Sequence, residues 1–315
     1  MNRADPAAPI RIQMGSAEWA TLIGLSVLWG GSFFFIEVAV RSIPPFTLVL
    51  MRVSLAAAAL LLFLRMRGSP ARIQGSVYLS FAIMGLLNNA VPFSLLAWGQ
   101  TQIGGGLASI MNATTPIWGV IVAHLFTSDE RITPLKLAGV LAGFAGVATM
   151  IGPELLAGIG KDLLAQCACL AAGLCYAAAG VYGRRFRRLG IDPVQVSAGQ
   201  LAAAALILLP VALLLDQPWR IAPPPIEAWG SLLALALLST TFAYVLYFRL
   251  IARAGATNAL LVTFLVPVTA ILLGVLLLGE ALEPQHLAGM ALIGTGLAAI
   301  DGRPFSRLRE KTLPH

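Results

Sequence analysis

The stretch ATTPIWGVIVAHLFTSDERITPLKLAGVLAGFAG (residues 113–146) returns in the second half of the chain as FLVPVTAILLGVLLLGEALEPQHLAGMALIGTG (residues 264–296). Pro116 aligns with Pro267 at an offset of 151, while Glu130, Pro134, Gly139 and Gly146 align with Glu280, Pro284, Gly289 and Gly296 at an offset of 150. Upstream the correspondence thins: Gly104 falls on Gly255 and Arg52 falls near Gln200. A period close to half the chain is the mark of two homologous units.

Composition says what kind of unit this is. The chain is 58% hydrophobic and 11% charged, with a mean hydropathy of +0.85, whereas charged residues make up about 25% of ordinary soluble domains. Such a chain belongs in a bilayer. A spanning helix needs roughly 20 mostly apolar residues, because every backbone N–H and C=O must be satisfied within the segment. Apolar runs bounded by charges, proline or glycine predict ten spans, at roughly 19–41, 45–64, 76–98, 105–127, 135–152, 162–182, 193–214, 228–250, 256–278 and 285–300. The leading stretch MNRADPAAPIRIQ has no apolar core of its own, so the first run reads as a retained helix rather than a cleaved signal.

The predicted fold class is an all-α integral membrane protein of ten transmembrane helices in two five-helix repeats. The expected division is an N-terminal tail (1–18), a first repeat (19–152), a second repeat (153–300) and a basic C-terminal tail (301–315). Five spans is an odd number, so the second repeat enters the membrane from the opposite side and the repeats are inverted. That layout recurs in secondary transporters, whose substrate site lies near the midplane at the repeat interface.

The formal charge of +7 raises the question of nucleic acid, and the placement of the bases answers it. With the N-terminus in the cytoplasm, the outside loops hold only Arg41, Lys161 and Arg220, and Arg52 lies within a span; the other basic residues all fall inside. This positive-inside asymmetry predicts cytoplasmic termini, a multi-pass protein of the inner membrane, and no nucleic-acid partner. Cys167, Cys169 and Cys175 crowd one span without a second ligand cluster. They read as small core residues, so no metal and no cofactor is expected.

Several of these segments carry a resemblance to a known family. WGGSFFFIE (29–37), PFTLVLMR (45–52), ATTP (113–116), the GE–P–LAG pattern at 279–289 and its looser counterpart at 130–139 resemble the EamA family of the drug/metabolite transporter superfamily. The resemblance implies five-plus-five inverted helices, a cavity lined mainly by helices 1, 3, 4, 6, 8 and 9, peripheral helices 5 and 10, and export of amino acids and other small metabolites. Many members of that family carry Lys where this chain has Glu37, so substrate preference does not carry over with the fold.

The candidate site residues come from what mid-span positions cost. Pro116 and Pro267 lie at equivalent points of spans 4 and 9; each removes an N–H and kinks its helix, as a hinge beside a binding site or as a packing kink. Asn88, Asn89 and Asn112 must face protein or a wet cavity, since an amide facing lipid is left without partners. Helix-to-helix hydrogen bonding and cavity lining both satisfy that requirement. Ser32, Glu37, Thr115, Thr240 and Thr263 join them as polar cavity candidates, and Trp29, Phe33, Trp98, Tyr176, Tyr182 and Tyr244 as aromatic ones. Glycines 139, 143 and 146 in span 5 and 289, 294 and 296 in span 10 predict close helix packing.

Glu37 and Arg52 are the deep charges. Each lies about 7.5 residues from the centre of the Pro44–Pro45 turn, so antiparallel helices would hold both about 11 Å from it, at one depth. The expectation is an intramembrane ion pair, Glu37 with Arg52; the competing arrangement pairs Glu37 with Arg41 and lets Arg52 snorkel. Glu37 is also the natural proton carrier for a proton-driven cycle.

The function expected is a secondary exporter of small metabolites, amino acids first, working by alternating access on a small-molecule substrate within the lipid bilayer, as monomer or homodimer. The alternatives are an uptake carrier or facilitative uniporter for another small solute such as a nucleobase, sugar or drug-like cation, and, further off, a channel or an integral membrane enzyme.

Overall fold

The computed structural model describes residues 14–68, 75–127, 132–151, 162–255, 258–259, 261–273 and 282–301. The two tails beyond these limits, and the Glu130–Glu280 correspondence, lie outside the described residues. Helical rods run through the described residues in this order: α1 (Ser16–Ala39), α2 (Pro45–Met66), α3 (Gly75–Gly85, a π turn at Leu86–Ala90, then Val91–Gly99), α4 (Gly105–Asn112, then Thr115–Phe126) and α5 (Pro134–Ile151). The second set is α6 (Leu163–Arg188), α7 (Pro193–Leu215), α8 (Ile226–Ala236, a π turn at Leu237–Phe242, then Ala243–Ala254), α9 (Val262–Leu273) and α10 (Pro284–Asp301).

Among the described residues seven helices are long and apolar enough to cross a membrane, namely α1 to α4 and α6 to α8, and Pro134–Thr149 within α5 is a shorter apolar helix. The remaining two rods are α9, described over 12 residues, and α10. The outward faces carry large apolar side chains such as Phe34, Leu62, Leu79, Leu206 and Leu214. A hydrocarbon solvent explains such a surface, and water does not.

Local chemistry sets the helix ends. Glu18, in the first turn of α1, reaches back to the Gly15 N–H at 2.9 Å and occupies one of the orphan donors there. Pro45 opens α2 and Pro193 opens α7, positions where the missing N–H costs nothing; at α7 the Asp192 carboxylate also caps the Val194 N–H at 2.8 Å. The chain leaves α6 through Gly190 at φ +65°, and the Ile191 N–H returns to the Phe186 carbonyl at 3.1 Å. That left-handed step is one glycine adopts without penalty.

The main packing contacts follow an exchange rule: add five, cyclically, to each helix number and the contact recurs. α1 packs on α8 and α9, and α6 packs on α3 and α4; α2 crosses α8, and α7 crosses α3; α2 and α7 lie together, as do α5 and α10. Each repeat therefore lends its first helix to the other. α5 and α10 meet at bare backbone, since a methyl group on Gly296 would stand 2.5 Å from the Gly139 carbonyl oxygen and one on Gly146 2.7 Å from that of Gly289. The expected small-residue packing holds there, although Gly294 faces open space. Within a bilayer, such van der Waals approach replaces the hydrophobic drive that water would supply.

Candidate functional site

Two π turns, related by the repeat offset of 151, lie at the centre: LLNNA at Leu86–Ala90 in α3 and LLSTTF at Leu237–Phe242 in α8. A π turn inserts a residue into the helical ladder and rotates the next turn relative to the one before, so it re-aims side chains. Beside the first turn α3 crosses α7 so closely that a Cβ on Gly85 would lie 2.5 Å from the Gln200 carbonyl oxygen. There Asn88 and Asn89 both donate to Gln200 Oε1, at 3.1 and 3.2 Å. The Tyr244 hydroxyl donates to Asn89 Oδ1 at 2.7 Å, with the Asn88 carbonyl at 3.2 Å as a second acceptor for the same proton.

The second turn works through hydroxyls. Thr240 and Thr241 donate to carbonyls five residues back, Leu235 and Ala236, at 2.7 and 2.8 Å. Ser239 donates to the Leu28 carbonyl at 2.7 Å while its own carbonyl accepts from Trp29 Nε1 at 3.1 Å, so α1 is clasped onto α8. From α2, Arg52 donates through Nε to Thr240 Oγ1 at 2.8 Å and lays its guanidinium 3.8 Å over the Phe93 ring. Arg52 is only 5% exposed.

Between the two turns lies a cavity whose empty volume, counting its open part, is about 660 Å³. Six of its helices are those the resemblance implied: α1 gives Trp29, Ser32 and Phe33, α3 gives Asn88, α4 gives Asn112 and Thr115, α6 gives Tyr176, α8 gives Tyr244, and α9 gives Thr263. All nine of these residues were cavity candidates from sequence. Ile36, Arg52, Phe93, Leu96, Tyr247 and Val266 complete the wall. Rings dominate it, with Trp29 against Tyr247 at 5.1 Å and Phe93 against Tyr176 at 6.5 Å between centroids.

Five candidates stand elsewhere. Asn89 and Thr240 are fully buried behind the wall, where they anchor Gln200, Tyr244 and Arg52. Trp98 packs half-buried against the core. Tyr182 lies at the far end of α6 under the Arg185 guanidinium, whose Nη1 donates to its hydroxyl at 2.6 Å. Glu37 is not among the lining residues of the cavity.

The expected Glu37–Arg52 pair is corrected by the structure. Glu37 bonds Arg41 at 3.4 Å and accepts the Gly105 N–H at the start of α4 at 3.2 Å, its side chain 41% exposed. α1 and α2 diverge from their common turn. α2 lies along α7 while α1 leans on α8 and α9. Divergence turns the acid outward and the base inward.

The paired prolines also differ. Pro116 stands at a break, where α4 stops at Asn112 and resumes at Thr115; the Asn112 carbonyl that the proline cannot serve is taken by Thr115 Oγ1 at 2.6 Å. Pro267 lies inside the continuous rod Val262–Leu273. Phe93, Leu96 and Val266, missed from sequence, carried a usable signal, the repeat offset: Tyr244 maps back to Phe93, Tyr247 to Leu96, and Thr115 forward to Val266.

Known proteins resemble this chain. The chain is 28% identical over 281 residues to a protein named uncharacterized transporter YoaV from Bacillus subtilis, covering 88% of this chain and 94% of that one. It is 27% identical over 308 residues to a probable terminal-alkyne amino-acid exporter from Streptantibioticus cattleyicolor, covering 96% and 99%. It is 29% identical over 283 residues to the uncharacterized inner membrane transporter YedA of Escherichia coli K12, covering 87% of each. One solved crystal structure superposes with a TM-score of 0.70 over 90% of this chain and 97% of the other, at 22% identity, which shows a common fold. The EamA-like transporter family matches residues 18–152 and again 163–300, so the chain is a multi-pass membrane protein that belongs to the EamA-like transporter family.

Proposed function

We propose that the chain is a secondary transporter that exports small metabolites, amino acids foremost, across the cytoplasmic membrane by alternating access. In this reading ten spans form two inverted repeats, both termini face the cytoplasm, and the solute emerges unmodified. The observation that carries it is the cavity itself, walled by α1, α3 and α4 of one repeat and α6, α8 and α9 of the other. A site at such a junction can exchange access sides when one repeat rocks against its neighbour. The relative named a probable terminal-alkyne amino-acid exporter supports the substrate class.

Counterflow in proteoliposomes tests the reading with a panel of amino acids. Trans-accelerated exchange of unmodified solute is the expected result. Chemical conversion of the solute, or a conductance that does not saturate, overturns it. In the proton-driven form of the cycle Glu37 carries the proton, and Glu37→Gln then removes the response of export to a pH gradient. A pH response that survives Glu37→Gln rules Glu37 out as the proton carrier, whereas wild-type export that ignores a pH gradient assigns facilitated diffusion.

A further inference from the structure

Arg52 is a buried cation without an acid. No carboxylate lies within ion-pair distance of it among the described residues, and its hydrogen bonding ends with Nε on Thr240. Among those residues both terminal nitrogens are left without a hydrogen-bond partner at the wall of the cavity. An unpaired charge at such depth is costly, and a bidentate carboxylate is the partner that a guanidinium fork fits best. Phe93 holds the flat face at 3.8 Å and Thr240 fixes one edge, so the opposite edge is presented ready-made.

We propose that Arg52 binds the carboxylate of the transported solute, that the ring-lined remainder of the cavity takes an apolar or aromatic body, and that an amine on the solute is dispensable. The last point rests on the make-up of the wall: none of its described residues is Asp or Glu. An ammonium group would meet only neutral acceptors such as Asn112 Oδ1, which is buried without a partner. The preferred class is therefore monocarboxylates with an apolar body, to which apolar amino acids belong as one subset. This inference rests on the transporter reading for the word "transported"; the binding site stands apart from it.

The test measures binding to the full chain in lipid nanodiscs with three probes of similar shape. These are 3-phenylpropionate, which has the carboxylate alone; phenylalanine, which has both groups; and phenylalaninamide, which has the amine alone. Both acids are expected to bind at least tenfold more tightly than the amide, and Arg52→Gln should bring them down to the level of the amide. Thr240→Val keeps the guanidinium but removes its anchor, so it should weaken the acids several-fold while the amide stays unchanged; a merely structural role would shift all three alike.

Equal binding of amide and acids, binding of none of the three, or an acid preference that survives Arg52→Gln overturns the proposal. Should Arg52→Gln fail to fold, the wild-type ratio and the Thr240→Val pattern still decide. Acids that bind without exchange in proteoliposomes would sink the transporter reading and leave the carboxylate site standing. Exchange of some other solute with no binding of the acids would do the reverse.

Discussion

The crossing of α3 over α7 and the crossing of α8 over α2 occupy equivalent places in the two repeats and share a π turn at the same offset, yet their chemistry differs. At the first, Asn88, Asn89, Gln200 and Tyr244 join in a neutral amide and hydroxyl network. At the second, Thr240 accepts from the guanidinium of Arg52, which falls near Gln200 in the repeat. The first knot ties its polar groups mainly to one another; the second leaves donors facing the cavity. Duplication supplied one backbone device twice, and divergence of the side chains separated a structural crossing from one with spare binding capacity.

The largest test of that separation is Gln200→Arg, which writes the charged crossing into the neutral one. Gln200 is fully buried and does not line the cavity, so the imported charge has neither acid nor wet space. A cost of about 2.5–3.5 kcal/mol is expected on insertion scales, visible as loss of folded yield and a lowered melting temperature in detergent. A variant as stable as wild type would mean that the two crossings are interchangeable.

Next comes backbone spacing. Gly85 corresponds to Ala236 at the offset of 151, and only the first crossing is too tight for a methyl group. Gly85→Ala should cost about 1–3 kcal/mol as overpacking, whereas Ala236→Gly should cost only about 0.5–1 kcal/mol as helix propensity. Equal losses in a thermal melt would erase the distinction.

Tyr244→Phe removes the donor to Asn89 Oδ1 and leaves a buried oxygen unserved, an effect of about 1–3 kcal/mol on stability. Because Tyr244 also lines the cavity, its binding effect should be smaller than its stability effect if the neutral network is chiefly structural. The smallest change is expected at Glu37. Its pair with Arg41 is exposed at 41% and 70%, and Glu37→Gln should move the melting transition by an amount close to the error of measurement.

How much of this was legible beforehand depends on which coordinate a pattern encodes. Depth along the membrane normal is written in run lengths and turns. The Pro44–Pro45 turn does separate α1 from α2. Rotation about a helix axis is written only in a contrast between faces, and helices apolar all round lack that contrast. So Asn88 and Asn89, adjacent in sequence, were equal candidates; the π turn places one in the cavity wall and the other behind it. The divergence of α1 from α2 depends on what each packs against, which neither helix states by itself. The duplicated sequence held more than was drawn from it, since Phe93, Leu96 and Val266 stand where the repeat maps Tyr244, Tyr247 and Thr115.

The bare guanidinium of Arg52 also has an electrical consequence. On the proposed cycle the unloaded protein carries a fixed positive charge within the span, and a bound monocarboxylate cancels it. A full elementary charge is worth about 2.3 kcal/mol per 100 mV of membrane potential, and the part of that voltage falling across the closed side bears on Arg52. An interior-negative potential therefore holds the unloaded form open toward the cytoplasm, where solute for export is collected, and leaves the loaded crossing nearly indifferent to voltage.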